Sequence, residues 1–98
     1  MQEYRIHSHN LQILPDGSLE KGTYYYRVSA QTANGVVDLV NMLKVYAPYM
    51  GNVIGIFWDS IPGAISYRVY RRPVNGVEKS ILVDGSAYFY DTGIIEFE

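Results

Sequence analysis

Hydrophobic and polar residues alternate along much of this chain, which is the pattern of β-strands that bury one face. Residues 23–30 give the clearest example, and residues 53–59 and 65–71 follow the same rule. The alternation predicts that one set of side chains points into a core: Tyr24, Tyr26, Val28, Ala30, Ile54, Ile56, Trp58, Ile65, Tyr67 and Val69. Further strands are predicted in three places: one or two in residues 3–14, one in 77–83 and one in 87–91.

Turn-forming residues separate these segments at regular intervals. They occur at Pro15-Asp16-Gly17, Asn34-Gly35, residues 49–52, Pro62-Gly63, Asn75-Gly76 and Asp84-Gly85. The dipeptide Asn-Gly tolerates the positive φ that both central residues of a type I′ turn require, so both Asn-Gly pairs predict two-residue hairpins. Short strands between frequent turns favour an all-β antiparallel sandwich or barrel of about seven strands.

Residues 36–47 fit two patterns, because their apolar positions also form a helical stripe. We predict a strand here. The segment is rich in valine, it follows the Asn34-Gly35 hairpin, and it has no helix cap. A short helix remains the alternative.

Length and composition indicate one globular domain, residues 1–98, with an N-terminal strand region over residues 1–18. The chain has 98 residues, 48% of them hydrophobic, and a formal charge of −2. That size supports one core, and that charge gives no excess for nucleic-acid binding. No cysteine is present, which removes disulfides and thiolate metal sites. No apolar run approaches the roughly 20 residues of a membrane span.

Residue Met1 bears on localisation. The residues after it lack the apolar region of a secretory signal. If Met1 is the natural start, the protein is made in the cytoplasm without a cleaved signal, and if it is a cloning start this inference disappears.

Four spaced elements resemble fibronectin type III domains, and more closely the fibronectin-like modules of tailed-phage virion proteins and bacterial surface proteins. These elements are Gly-Thr-Tyr-Tyr-Tyr-Arg-Val-Ser-Ala at 22–30, the strand 53–58 ending in tryptophan, residues 61–71, and Tyr-Asp-Thr-Gly at 90–93. The resemblance covers roughly residues 19–93 and implies an immunoglobulin-like sandwich. It implies that Trp58 packs between the sheets and that Tyr24 is a tyrosine-corner residue.

The order of the elements departs from that family. The tyrosine-corner strand normally follows the tryptophan strand, whereas here Tyr24 precedes Trp58. A circularly permuted, self-contained sandwich explains this order, and it is the interpretation we favour. A chain made of two half modules is the alternative, and it predicts strand exchange or an intertwined oligomer.

Outward-facing arginines and aromatics form the candidate interaction surface. Alternation turns Arg68, Tyr70 and Arg72 to one side of their strand, beside the cations Arg71 and Lys79. Such groups stack and contact anions, although a solvated face whose arginines pair with Glu78 is an equally ordinary interpretation. The full set of candidates is Tyr25, Arg27, Tyr49, Arg68, Tyr70 and Arg72.

Catalytic and metal-binding signals are weak. His7 and His9 would share one face of a strand and offer two imidazoles, but a solvated terminal strand explains them better. Asp91 and the other aspartates lie at strand ends and turns, where aspartate bonds local backbone. We therefore expect no enzyme activity, no metal and no cofactor.

The resemblance implies a noncatalytic structural or adhesion module of a tailed-phage virion, in a capsid decoration or the tail. It would act through protein–protein assembly and surface display after synthesis in the host cytoplasm. The expected partners are other virion proteins or copies of the chain, with host-surface glycans as a further ligand, and neither nucleic acid nor membrane. The alternative is an extracellular carbohydrate- or surface-binding module of a bacterial secreted enzyme or adhesin, acting through Tyr49 or Tyr70. A third idea is a host-directed inhibitor built on the same scaffold.

Overall fold

The computed structural model describes residues 3–13, 17–94 and 96–98. Within these ranges the chain forms eight strands: β1 (Ile6–Ile13), β2 (Gly22–Thr32), β3 (Gly35–Asp38), β4 (Leu43–Ala47), β5 (Asn52–Trp58), β6 (Ala64–Pro73), β7 (Lys79–Asp84) and β8 (Tyr88–Asp91). The smaller sheet has the order β1-β5-β8, and the larger has the order β3-β2-β6-β7, with β4 also paired to β2. All strand pairs are antiparallel. The predicted all-β sandwich is confirmed.

Strand β2 organises the larger sheet. Its first half pairs with β4 and its second half with β3 along one edge, while β6 pairs with nearly its whole length along the other edge. Because every second residue of a strand faces the same way, this pairing sets which side chains of both β2 and β6 enter the core.

The ambiguous segment 36–47 is extended, as predicted, but it forms two strands rather than one. Between them the chain leaves the edge of β2 to contact the start of β1. The Asn41 side chain accepts from Ile6 N (2.8 Å) and donates to Ile6 O (2.9 Å), while Val40 N donates to Tyr4 O (2.9 Å). The asparagine amide replaces a strand neighbour for Ile6, so the interruption satisfies backbone groups.

The turn at Pro62-Gly63 is confirmed. Ala64 N donates to Ile61 O (3.0 Å), and Gly63 has a φ of 80°. Proline followed by a residue with positive φ is the signature of a type II turn. This turn carries the chain from β5 in the smaller sheet to β6 in the larger one.

Both predicted hairpins form, but neither has the predicted type I′ turn. At the first, Ala33 and Asn34 separate the paired residues Thr32 and Gly35, and the positive φ is at Gly35 (115°) and not at Asn34. The Thr32 hydroxyl accepts from Asn34 N (3.1 Å) and donates to Gly35 O (2.8 Å), which holds a different tight turn.

The second hairpin has a longer connection than predicted, residues 74–78. Gly76 N donates to Pro73 O (2.9 Å), and neither Asn75 nor Gly76 has a positive φ. The chain turns over the Pro73 ring, against which Gly76 lies closely. The predicted turn at residues 15–17 involves Pro15 and Asp16, which lie outside the described residues.

The core lies between the two sheets and draws on the whole chain. Nine of the ten side chains predicted to be core are buried, and Trp58 packs edge-to-face on Tyr67 with ring centroids 5.4 Å apart. Buried residues from both ends, Ile6 and Phe97, join the same core. The strand that contains Tyr24 and the strand that contains Trp58 therefore contribute to one sandwich.

Ile65 is the exception, because it is 66% exposed. The register between β2 and β6 shifts here, since Gln31 pairs with Ser66 while Thr32 pairs with Ala64. Ile65 is the extra residue of this β-bulge, and a bulge breaks the strict alternation on which the prediction rested.

Tyr24 forms the predicted tyrosine-corner contact. Its hydroxyl donates to Glu20 O over 2.7 Å. Burial raises the pKa of Tyr24, which keeps the hydroxyl protonated as a donor. The contact ties the segment before β2 to the start of that strand.

A buried carboxylate connects the two sheets. Asp91, at the end of β8 in the smaller sheet, is fully buried. It accepts from the Tyr26 hydroxyl (2.7 Å) and from Arg71 Nη1 (2.9 Å to each oxygen), and both donors lie in the larger sheet. Gly93 N completes the set at 3.1 Å, and the Arg71 guanidinium lies 4.0 Å from the Phe97 ring centroid. Burial raises the pKa of Tyr26, and the Asp91 carboxylate raises it further, so the tyrosine remains a donor.

Removing this carboxylate is expected to destabilise the fold strongly. Asp91→Ala leaves the part-buried Arg71 guanidinium and the buried Tyr26 hydroxyl without their acceptor, a change that typically costs about 3–5 kcal/mol. Urea unfolding measures the loss. The exposed Asp38→Ala is the control and should stay within about 0.5 kcal/mol of the parent. A loss below about 1 kcal/mol for Asp91→Ala would contradict the structural role assigned to this network.

Candidate functional site

The outer face of the larger sheet brings together five of the six candidate interaction residues. Antiparallel pairing places Tyr25 opposite Arg72 and Arg27 opposite Tyr70, with Arg68 next along β6. All five belong to the set of positions that alternates with the buried residues of β2 and β6. We call this surface the Arg–Tyr face, defined as Tyr25, Arg27, Arg68, Tyr70 and Arg72.

Arginines stack on tyrosines across the strands of this face. The Arg27 guanidinium carbon lies 3.6 Å from the Tyr70 ring centroid, and that of Arg72 lies 4.4 Å from the Tyr25 centroid. Cation–π contacts of this kind contribute roughly 0.5–1 kcal/mol each at exposed sites. They hold long side chains in fixed positions, so a partner that binds here orders fewer groups.

Arg27 is also neutralised by a carboxylate. Its Nε and Nη2 atoms donate to the two Glu78 oxygens over 2.9 and 2.8 Å. The hydrogen bond raises the pKa of Arg27 and lowers the pKa of Glu78. The pairing with Glu78 that we weighed concerned the arginines of β6, and Glu78 instead pairs with Arg27 on β2.

Arg68 lines a pocket of about 230 Å³ on the same face. Its Nη1 donates to the Ser80 hydroxyl over 3.0 Å. Its cross-strand neighbours are Ser29 on β2 and Leu82 on β7. One end of the Arg–Tyr face is therefore a pocket that is lined by Arg68 and by both polar and apolar residues.

Tyr49 does not belong to the Arg–Tyr face. It is exposed in the loop between β4 and β5, whereas the other five candidates lie on β2 and β6. Any contact that it makes would be separate from the stacked arginines and tyrosines.

The two histidines lie on β1, where a register shift between Ile6 and Ser8 interrupts the alternation at His7. His9 pairs opposite Ile56, a core position, while His7 Nδ1 contacts the Ser8 hydroxyl at 3.0 Å. The shared face assumed for a metal site therefore fails at the bulge. Within residues 3–13, 17–94 and 96–98, no group of three or more histidine, cysteine or acidic side chains is placed to hold a metal.

An aromatic cluster on the smaller sheet was not predicted. Phe57 packs on Tyr88 and Tyr90, with centroids 6.3 and 5.7 Å apart, and the two tyrosines lie 5.9 Å apart. A Cβ at Gly55 would fall 2.7 Å from the Tyr90 ring, so glycine is what allows the ring to lie there. Gly55 in an otherwise apolar strand was the available signal.

Comparisons with protein-family models, with curated proteins and with solved structures give no match to this chain. In the part of the chain that the structure describes, no helix has the length and apolar character needed to cross a membrane.

Acid should abolish the contribution of the Glu78 carboxylate to the free energy of unfolding. A carboxyl group whose pKa is lowered by folding stabilises the protein above its ordinary pKa, and that stabilisation disappears as the pH falls through the lowered value. Because both partners are 38% exposed, we expect Glu78→Gln to cost less than about 1 kcal/mol at pH 7 and almost nothing near pH 3. Urea unfolding at both pH values measures this, with the exposed Glu3→Gln as control. A cost that grows in acid would contradict the ion pair.

Proposed function

We propose that this chain is a noncatalytic, fibronectin-like module of a tailed-phage virion that acts by protein–protein assembly and surface display. The observation that carries the proposal is the Arg–Tyr face, an ordered surface of stacked cations and aromatics on a well-packed sandwich. Tyrosine and arginine are the residue types most enriched where protein interfaces concentrate their binding energy. The virion context rests on the resemblance described above.

The strand arrangement supports the fibronectin-like type. The tryptophan strand β5 is central in the smaller sheet, and the tyrosine-corner strand β2 is central in the larger sheet. The Tyr24 hydroxyl reaches back to Glu20 O, four residues earlier. These are features by which immunoglobulin-like sandwiches are recognised, although a fold alone does not determine function.

The construction of the face also fits a display module. Its side chains are attached to the middle strands β2 and β6 rather than to loops, so the core holds their backbone rigidly. Binding then requires little reordering of the protein. A rigid sheet face is suited to repeated contacts in a large assembly.

Particle incorporation tests the proposal. Purified particles produced from the genome that encodes this chain should contain it in several copies, as measured by quantitative mass spectrometry and immuno-electron microscopy. Tyr70→Ser removes the ring under Arg27 without touching the core, and it should lower incorporation at least about fivefold if this ring is an interface anchor. Met50→Ser, an exposed change in the β4–β5 loop, is the matched control. Absence of the parent chain from particles would overturn the proposed virion role.

A carbohydrate-binding accessory module is the second candidate, and the Phe57–Tyr88–Tyr90 cluster favours it. Sugar rings stack on exposed aromatic faces, and Tyr88 is exposed on this cluster. Under this candidate, a glycan array would give saturable binding that Tyr88→Ser, Tyr49→Ser or Tyr70→Ser reduces and the exposed Met50→Ser leaves unchanged. If the protein binds no glycan on the array, this candidate is excluded.

A further inference from the structure

The pocket beside Arg68 has the composition of a site for one anionic side chain. Arg68 is the one cation that lines it, Ser29, Gln31 and Ser66 are polar lining residues, and Val36 and Leu82 are aliphatic ones beside two tyrosines. Ser29 is buried, so it lies below the open surface of the sheet. The pocket thus combines one cation, several polar residues, two aliphatic residues and two tyrosines.

Arg68 differs from the other arginines of β6 and β2 in what its guanidinium contacts. Within the described residues, Arg27 pairs with Glu78 and Arg71 with Asp91, whereas Arg68 and Arg72 have no carboxylate partner. The Arg72 guanidinium is stacked on the Tyr25 ring, so among these four arginines Arg68 is the one with neither an ion pair nor a stacked ring. Its Nη1 atom is held by the neutral Ser80 hydroxyl, which positions the guanidinium without neutralising it. A guanidinium has five N–H donors in a fixed planar arrangement that matches a carboxylate. Arg68 therefore keeps both charge and donors available at the pocket.

The size of the pocket limits what can enter. Pockets that enclose whole small molecules usually measure about 300–1,000 Å³, and this one measures about 230 Å³. One carboxylate side chain fits that space, with the rest of the ligand lying on the sheet. Val36 and Leu82 are 62% and 57% exposed, so they offer apolar contacts to residues that flank the bound side chain.

We propose that this pocket binds the carboxylate of an aspartate or glutamate in an extended acidic segment of a partner protein. The carboxylate pairs with the Arg68 guanidinium, and the flanking apolar side chains of the segment pack on Val36 and Leu82. Only one cation lines the pocket, which suits a singly charged carboxylate better than a phosphate group that carries nearly two charges. The inference rests on the proposed protein-binding function and names the chemistry of the partner.

Titration of the isotope-labelled full chain tests this site by NMR. The probe is the blocked peptide acetyl-Leu-Asp-Leu-Asp-Leu-amide, and its comparison is the uncharged acetyl-Leu-Asn-Leu-Asn-Leu-amide. We expect saturable amide shifts from the acidic peptide, concentrated at Ser29, Ser66, Arg68 and Leu82. Loss of a charge-assisted bidentate contact corresponds to at least about a tenfold weakening, which we expect for Arg68→Gln. Arg68→Lys should bind with intermediate affinity, because it keeps the charge without the planar donors.

Arg5→Gln is the control, because it makes the same change in charge outside the pocket and should leave the affinity within about twofold. Spectral dispersion of each variant reports that it is folded. Equal binding of the asparagine peptide, undiminished binding by Arg68→Gln, or stronger competition by inorganic phosphate than by acetate would each overturn the proposal. Failure of the peptide to bind while the chain is still found in particles would overturn this pocket alone. Absence from particles with intact peptide binding would overturn the virion role alone.

Discussion

The buried Asp91 carboxylate is the contact on which the arrangement of the two sheets depends. It lies in the smaller sheet and accepts hydrogen bonds from Tyr26 on β2 and Arg71 on β6, both in the larger sheet. Hydrophobic packing between two sheets is largely non-directional. An ionised group that is buried must instead be met by donors in definite positions, since an unpaired buried charge is very costly. This network therefore selects one way of stacking the sheets among several that would bury a similar apolar area.

The same contact determines what the outer surface presents. Tyr26 and Arg71 point inward, and their chain neighbours on β2 and β6 point outward because strand side chains alternate. Those neighbours are Tyr25, Arg27, Tyr70 and Arg72, four of the five members of the Arg–Tyr face. A one-residue slip of either strand would exchange the buried and outward sets. The core network and the proposed interaction surface are thus two sides of one strand register.

Sequence patterns predicted the parts of this protein that depend on local alternation. Tyr24, Tyr26, Val28 and Trp58 are buried as the period of two requires, and the type II turn at Pro62-Gly63 follows from the φ values that proline and glycine favour. Ile65 was assigned to the core, and its assignment failed because a bulge depends on the register with β2, which the residues around Ile65 do not encode.

Local sequence patterns could not predict the long-range polar contacts either, because these contacts depend on how distant strands pair and stack. Asp91 was expected to bond nearby backbone, and it does accept from Gly93 N, but its main partners lie 65 and 20 residues away along the chain. Arg68, Arg71 and Arg72 look alike in the sequence. The fold distinguishes them, since Arg71 is paired with a buried carboxylate, Arg72 is stacked on Tyr25 and Arg68 has no carboxylate partner among the described residues.

The most direct test of this account is the strand register between β2 and β6 in solution, measured by cross-strand nuclear Overhauser effects in the full chain. We expect contacts that place Arg27 opposite Tyr70 and Val28 opposite Val69, with Arg27 side-chain protons shifted upfield by the Tyr70 ring. Contacts that place Arg27 opposite Val69 or Arg71 would contradict this register. A one-residue shift would exchange the inward and outward side chains of one strand, so both the Asp91 network and the Arg–Tyr face would be lost.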